Sequence, residues 1–505
     1  LIGLAGAGAS SGMAMAHWEI QGWMILILGW VFVPFYTRSM VYTMPEFLER
    51  RYNPQSRTIL SVISLVSYVL TKVAVTVYAG GLVFHQVFGI KELWGIDFFW
   101  IAAIGLVVLT ALYTIFGGMK SVLYTSVLQT PILLLGSLII LILGFKELGG
   151  WDEMMRVCGA VTVNDYGDTM TNLIRSNDDA NFPWLGALIG SAIIGFWYWC
   201  TDQFIVQRVL SGKNEMEARR GTIFGAYLKL LPVFLFLIPG MIAFALHQKY
   251  IGAGGEGFLP MLENGTANAD AAFPTLVAKL LPAGVKGLVV CGILAALMSS
   301  LASLFNSSAM LFTIDFYKRF RPQTSEKKLV GIGQVATVVI VILGILWIPI
   351  MRSVGDVLYT YLQDVQSVLA PGIAAAFLLG ICWKRTSAQG GMWGLISGMV
   401  IGLTRLGAKV YYSNAGEVAD STFKYLFYDM NWLFFCGWMF LFCIIVVIVV
   451  SLATEAPTAE KIQGLVFGTA TKEQKASTRA SWNHWDIIHT VIILAITGAF
   501  YWYFW

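Results

Sequence analysis

Long apolar stretches, each interrupted by a few polar residues and separated by short charged turns, recur along the whole chain. They fall at about 20–37, 58–87, 97–116, 124–145, 184–207, 222–247, 280–313, 329–350, 357–383, 391–411, 430–452 and 485–505. Each approaches or exceeds the ~20 residues that a helix needs to cross a bilayer. Residues 1–16 form a further, partial segment rich in glycine, alanine and serine, so that about thirteen membrane segments are predicted. Lipid offers the backbone no hydrogen-bond partners, which makes helices the expected form and the fold class an all-α polytopic membrane protein.

Two of these segments are unusual. Residues 1–16 combine small residues that let helices approach closely, which suits half of a broken helix. The run 184–207 ends in Trp197-Tyr198-Trp199-Cys200-Thr201-Asp202-Gln203 and, further on, Gln207. Polar groups inside a membrane normally face a bundle interior or a watery cavity, so a polar solute is expected beside this helix. Paired interrupted helices in corresponding positions point to a transport site.

Composition agrees with the pattern. Of 505 residues, 57% are hydrophobic and only 12% charged, which excludes a soluble globule. A net charge of +4 gives no footprint for nucleic acid. The basic residues instead cluster in alternate loops, such as Arg50, Arg51 and Arg57, then Arg208, Lys213, Arg219 and Arg220, which are read as cytoplasmic. Loops 146–183 and 248–274 are longer and acidic and are read as external. Six scattered cysteines lack a Cys-x-x-Cys pair, and five histidines lack the grouping of haem or copper ligands. No catalytic triad, metal cluster or nucleotide loop is present, and an enzyme is not expected.

Several polar residues stand where lipid would penalise them. Glu19 opens the second segment beside His17, Trp18 and Gln21. Lys229 lies inside an apolar run, where an unpaired lysine costs about 2.5–3.5 kcal/mol, and Lys72 poses the same question unless it snorkels to the interface. Gln363 and Asp364 precede Pro371-Gly372, and a glutamine amide both donates and accepts. Tyr198, Tyr359 and Tyr361 offer flat faces for the C–H side of a sugar ring, though such residues also serve simple packing. One carboxylate, one ammonium, one amide and aromatic faces describe a polyhydroxyl site better than an ion pore. Ala296, Ser299 and Ser300, in Ala296-Leu297-Met298-Ser299-Ser300, can supply hydroxyl and carbonyl oxygens to an alkali cation, or the hydroxyls can bond back to their own helix.

The chain resembles the sodium/solute symporter family, and within it the sodium–glucose cotransporters, over essentially its whole length. The resemblance rests on Gly3-Leu4-Ala5-Gly6, Thr43-Met44-Pro45-Glu46-Phe47, Ile115-Phe116-Gly117-Gly118, Trp197 to Gln203, Gly225-Ala226-Tyr227-Leu228-Lys229-Leu230, Leu297 to Leu301 and Phe377 to Lys384. It implies a five-plus-five inverted-repeat core of the LeuT type. The first repeat would cover 1–145, an external loop region 146–183, the second repeat 184–383 and additional helices 384–505. By the same resemblance the sugar-binding residues fall on Glu19, Lys229 and Gln363, with Tyr198 and Trp199. Tyr198 is then an inner gate, Tyr359 an outer gate, and Ala296, Ser299 and Ser300 part of a sodium site. The first-helix carbonyls completing that site would precede Leu1.

Two departures stand out. Thr125-Ser126 replaces the family's Thr-Asp, removing a carboxylate associated with sodium release to the cytoplasm. Gly195 stands where relatives carry asparagine or threonine. The expected function is sodium-coupled transport of a monosaccharide, galactose or glucose, across a membrane, with a bacterial inner membrane as the expected location. Proton-coupled or passive sugar transport, a sugar sensor, and sodium symport of another solute such as myo-inositol are the alternatives.

Overall fold

The computed structural model describes residues 2–41, 43–262, 265–354, 358–415 and 419–505, without the side chains of residues 113, 115–123, 125, 126, 128 and 351–354. The Ser126 side chain therefore lies outside the described residues. Ten stretches among those described are long and apolar enough to cross a membrane, from Ile2–Ser39 to His484–Tyr503. Ile2–Ser39 joins the first two expected segments, Phe98–Leu112 is apolar but shorter, and Ala388–Asn414 is diluted by glycines, Arg405 and Lys409. One expectation changes. The spans 97–116 and 124–145 lie in a single helical run, Phe98–Leu148, because a lone Lys120 and a Gly-Gly pair do not stop a helix in an apolar sequence.

Helix ends follow local chemistry. Thr43 accepts from the Glu46 amide at 3.2 Å and Pro45 occupies the first turn, starting Met44–Arg51. Asn53 caps Pro54–Ser67 in the same way. Gly89 and Gly149 end their helices in the left-handed conformation. Buried Arg51 donates to the carbonyl oxygens of Gly380 at 2.6 Å and Trp383 at 3.2 Å, tying this basic end of the bundle together.

The helix Ile2–Ser11 is wedged among Ile238–Gly252, Ala272–Leu280 and Leu358–Cys382. Its small residues make that wedge fit. A Cβ on Gly8 would stand 2.2 Å from the Leu237 carbonyl oxygen, and one on Gly240 would stand 2.0 Å from that of Ala5. Backbone therefore meets backbone here. The chain then tightens through Gly12–Met15, resumes as Ala16–Glu19, breaks at Ile20-Gln21 and continues as Gly22–Ile27. The second interrupted segment runs as Trp184–Gly195, widens into a π-helical turn over Phe196–Thr201, becomes extended at Asp202 and restarts as Gln203–Leu210. Such turns free backbone groups and redirect side chains, and both breaks lie beside one cavity.

Asp270 fastens one end of this assembly. It is buried in the turn Ala269–Ala271, and its two oxygens accept from the Leu358 amide at 3.3 and 3.0 Å, holding the start of Leu358–Cys382. Burial pushes its carboxyl up from 3.8 to about 7, against the opposing pull of the Leu358 amide. A carboxyl that binds its proton more tightly when folded contributes stability below 3.8 that is lost as the pH rises to about 7. The Asp270→Asn variant should therefore match the parent in melting temperature on the acidic side of this window and exceed it on the alkaline side. Thermal melts of purified protein across the window check this, and parallel curves for the two proteins contradict it.

Candidate functional site

Both interrupted segments deliver side chains to one cavity of about 190 Å³. Its wall includes Glu19 and Gln21 from the first break, Gly195, Tyr198 and Trp199 from the second, Lys229, and Tyr359, Gln363 and Gln366 from Leu358–Cys382. The volume is below the ~300–1,000 Å³ of drug-sized sites and leaves room for no more than one small molecule. A larger groove of about 650 Å³ runs between Leu65–Leu70 and Lys328–Leu343. Its wall is almost wholly aliphatic and opens onto exposed Val335 and Val339, so it offers a polar solute nothing to bind.

Glu19 is the centre of the cavity's polar contacts. Its Oε2 accepts from Lys229 Nζ at 2.6 Å and its Oε1 accepts from the Tyr359 hydroxyl. Lys229 Nζ also lies 5.3 Å over the Trp199 ring. Gln363 stands one helical turn beyond Tyr359 and is in hydrogen-bonding contact with its hydroxyl. The Gln363 Oε1 and the Trp18 indole N–H are both buried without a hydrogen-bond partner. An unmade hydrogen bond at a buried polar atom costs about 1–3 kcal/mol, and among the described residues neither atom finds a partner. A hydroxyl group both donates and accepts, and so is able to satisfy either atom.

All five residues read from the sequence as sugar-binding, Glu19, Lys229, Gln363, Tyr198 and Trp199, thus come together with Tyr359 in one wall. Trp18, Gln21 and Gln366 were not foreseen. Gln366 follows Gln363 by three positions and shares its helix face, a signal that was present in the spacing. Gln21 was hidden, because residues two apart on a regular helix do not face the same way; the break at Ile20-Gln21 brings it beside Glu19.

Other polar residues serve different ends. Asp202, Gln203 and Gln207 do not border the cavity. Lys72 pairs with Asp202 and lies 4.4 Å over Phe204 and 5.1 Å over Tyr198, so it is enclosed rather than snorkelling. Tyr68 donates to the same carboxylate at 2.9 Å. Gln203 Oε1 accepts from the Met44 amide at 2.8 Å, and Gln207 donates to the Ser307 hydroxyl. The broken helix exposes these side chains to neighbouring helices, and their hydrogen bonds are used to brace it. Asp364 pairs with Lys409, and the Tyr361 hydroxyl sits between Trp347 Nε1 at 2.7 Å and the Leu70 carbonyl at 3.0 Å. Neither lines the cavity, which this helix faces with Tyr359, Leu362, Gln363 and Gln366, residues three or four apart.

Ala296, Ser299 and Ser300 lie within the continuous helix Ala283–Met310. Ser299 is buried, Ala296 half-buried and Ser300 exposed. Further along, the Ser303 hydroxyl donates to the Ser299 carbonyl at 3.0 Å and that of Ser307 to the Ser303 carbonyl at 2.8 Å, the back-bonding ordinary for membrane helices.

Interrupted helices converging on a polar cavity are the arrangement of a membrane transporter, and the fold is that of the LeuT-type transporters, with a five-plus-five inverted-repeat core. A substrate-bound, outward-open Na+-coupled sialic acid symporter shares the fold, with a TM-score of 0.66 over 90% of this chain and 86% of that one at 21% identity. The chain belongs to the sodium:solute symporter family, whose model matches residues 1–398. It is 36% identical over 481 residues to the human sodium/myo-inositol cotransporter 2, covering 93% of this chain and 70% of that protein. It is 37% identical over 510 residues to the sodium/mannose cotransporter SLC5A10 of Bos taurus, covering 95% and 83%. Against the sodium/glucose cotransporter 4 of Danio rerio it is 35% identical over 499 residues, covering 95% and 74%. The protein is a multi-pass, sodium-coupled solute symporter and not an enzyme.

The Glu19–Lys229 pair sets a stability test. Removing one partner of a buried ion pair strands the other charge, at about 3–5 kcal/mol. Lys229→Met should lower stability by about that amount, while Glu19→Gln with Lys229→Met together should recover most of it. Melting of the two single variants and the double variant measures the coupling; strictly additive losses contradict it.

Proposed function

We propose that the chain is a sodium-coupled symporter of a single small polyol, and that the cavity walled by Glu19, Lys229 and Gln363 is where the solute binds. The observation that carries this reading is the mixture in the wall: a charged pair, amides with unused hydrogen-bonding capacity at Gln363, and the rings of Tyr198 and Trp199. A ring of hydroxyls with an apolar C–H face matches such a wall on both counts. Galactose and glucose are the leading solutes. A second solute, myo-inositol, is supported by relatives named for its transport at 36% identity. Mannose enters the same comparison through the bovine relative.

In this reading Tyr359 closes the cavity from the outer side and Tyr198 from the inner side, so that opening one ring at a time gives alternating access. Ala296, Ser299 and Ser300 contribute oxygens to sodium. Sodium bound there raises affinity for the solute, and the solute raises affinity for sodium by the same factor. One cation moving through 100 mV releases about 2.3 kcal/mol, enough to concentrate a neutral solute roughly fiftyfold. The proposed organisation keeps 1–145 and 184–383 as the two inverted repeats, 146–183 as the external loop region and 384–505 as flanking helices. A bacterial inner membrane is the proposed setting. Ser126 in place of the family's aspartate leaves proton-coupled or passive transport as the rival engine.

Uptake of labelled galactose, glucose, mannose and myo-inositol into proteoliposomes, in sodium and in choline buffer, tests the proposal. Accumulation of at least one polyol that requires the sodium gradient is expected. Gln363→Ala should abolish that uptake with melting behaviour retained, and Ser300→Ala should weaken its sodium dependence. Equal uptake in choline overturns sodium coupling of sugar, and parental transport by Gln363→Ala overturns the site.

A further inference from the structure

Gln21 has an arrangement that packing alone does not account for. It lies in the break between Ala16–Glu19 and Gly22–Ile27, is 2% exposed, and borders the cavity. Its Nε2 donates to the Ser191 carbonyl oxygen at 2.8 Å, which fixes the amide plane and hence the direction of Oε1. That oxygen fills a notch opposite Gly195. A Cβ built on Gly195 would lie 2.3 Å from Gln21 Oε1, closer than real contacts, and 3.0 Å from its Cδ. Among the described residues no donor reaches Oε1. The same wall holds the Gln363 Oε1, which is buried without a partner. An acceptor oxygen at the cavity wall gains a hydrogen bond when a solute carries a hydroxyl to it.

We propose that Gln21 contacts the solute and selects its hydroxyl pattern, accepting through Oε1 from one hydroxyl, and that Gly195 is glycine so that this oxygen can occupy its place. The inference rests on the polyol reading of the cavity and adds a specificity-determining residue to it. Discrimination follows from the geometry. A solute whose hydroxyl meets Oε1 pairs it, whereas an epimer or deoxy derivative without that hydroxyl leaves the oxygen buried and unpaired. Gly195 and Gln21 then act as one unit. Any side chain at 195 must push the amide aside, and because the obstructing atom is the end of a flexible side chain, the helices need not move.

The test compares transport kinetics of the parent, Gln21→Met, Gly195→Ala and the double variant in proteoliposomes, on the transported polyol and its monodeoxy derivatives. Methionine keeps the length of glutamine without its acceptor. Gln21→Met is expected to raise KM for the parent solute about tenfold, the worth of one hydrogen bond. One monodeoxy derivative, lacking the hydroxyl that Gln21 meets, should be carried equally by parent and variant. Gly195→Ala should give the same selective loss, and the double variant should be no worse than either single one. Equal losses on every derivative, no loss at all, or additive losses overturn the role of Gln21. Should Gln21→Met not fold, Gly195→Ala on the same derivatives carries the decision. A parent protein that moves no polyol overturns the proposed function, and this inference with it; polyol transport indifferent to both substitutions overturns only the inference.

Discussion

A carboxylate and an ammonium held together inside the membrane dominate this structure. Glu19 and Lys229 each cost several kcal/mol to bury alone, and only their 2.6 Å contact makes either position tenable. That contact dictates much of what surrounds it. Glu19 comes from a segment whose helix breaks immediately after it, Lys229 from Glu215–Pro232, and the Tyr359 hydroxyl closes the remaining carboxylate oxygen from Leu358–Cys382. Three helices distant in sequence are thereby held at one point, and the cavity is the space they leave.

A second buried pair repeats the logic elsewhere. Lys72 and Asp202 meet at the other side of the Phe196–Thr201 turn, enclosed by Tyr68, Tyr198 and Phe204. Tyr198 therefore has the cavity on one side and a buried ion pair on the other. A ring so placed cannot turn without altering the surroundings of Lys72, which links the state of the cavity to the bracing of the broken helix. The small-residue packing of Ile2–Ser11 works with this. Where Gly8 and Gly240 let backbones touch, the first helix has a seat that bulkier residues would deny it.

Much of this was legible in the chain itself, and the reasons are physical. Charges and amides in apolar runs are expensive, so Glu19, Lys229 and Gln363 stand out wherever hydropathy is read, and all three border the cavity. The same rule singles out Asp202, Gln203 and Gln207, which do not border the cavity, because cost alone does not say whether the compensating partner is a ligand or a neighbouring helix. Here it is Lys72, the Met44 amide and the Ser307 hydroxyl. Gln21 escaped notice since its facing depends on a helix break that periodicity assumes away. The merging of two expected spans into Phe98–Leu148 has a similar cause: a single lysine and two glycines mark a loop in water but not within an apolar helix.

The most direct test of the account's centre asks whether the solute occupies this cavity. Leu362 borders it without belonging to the proposed contacts, so Leu362→Cys in a protein with its native cysteines replaced places a reporter there. Labelling by a small thiol reagent, followed with and without the transported polyol and sodium, is the measurement. Polyol should slow labelling, and sodium should strengthen the protection. Labelling at one unchanged rate under every condition, in a protein that still transports, would contradict occupancy of this cavity.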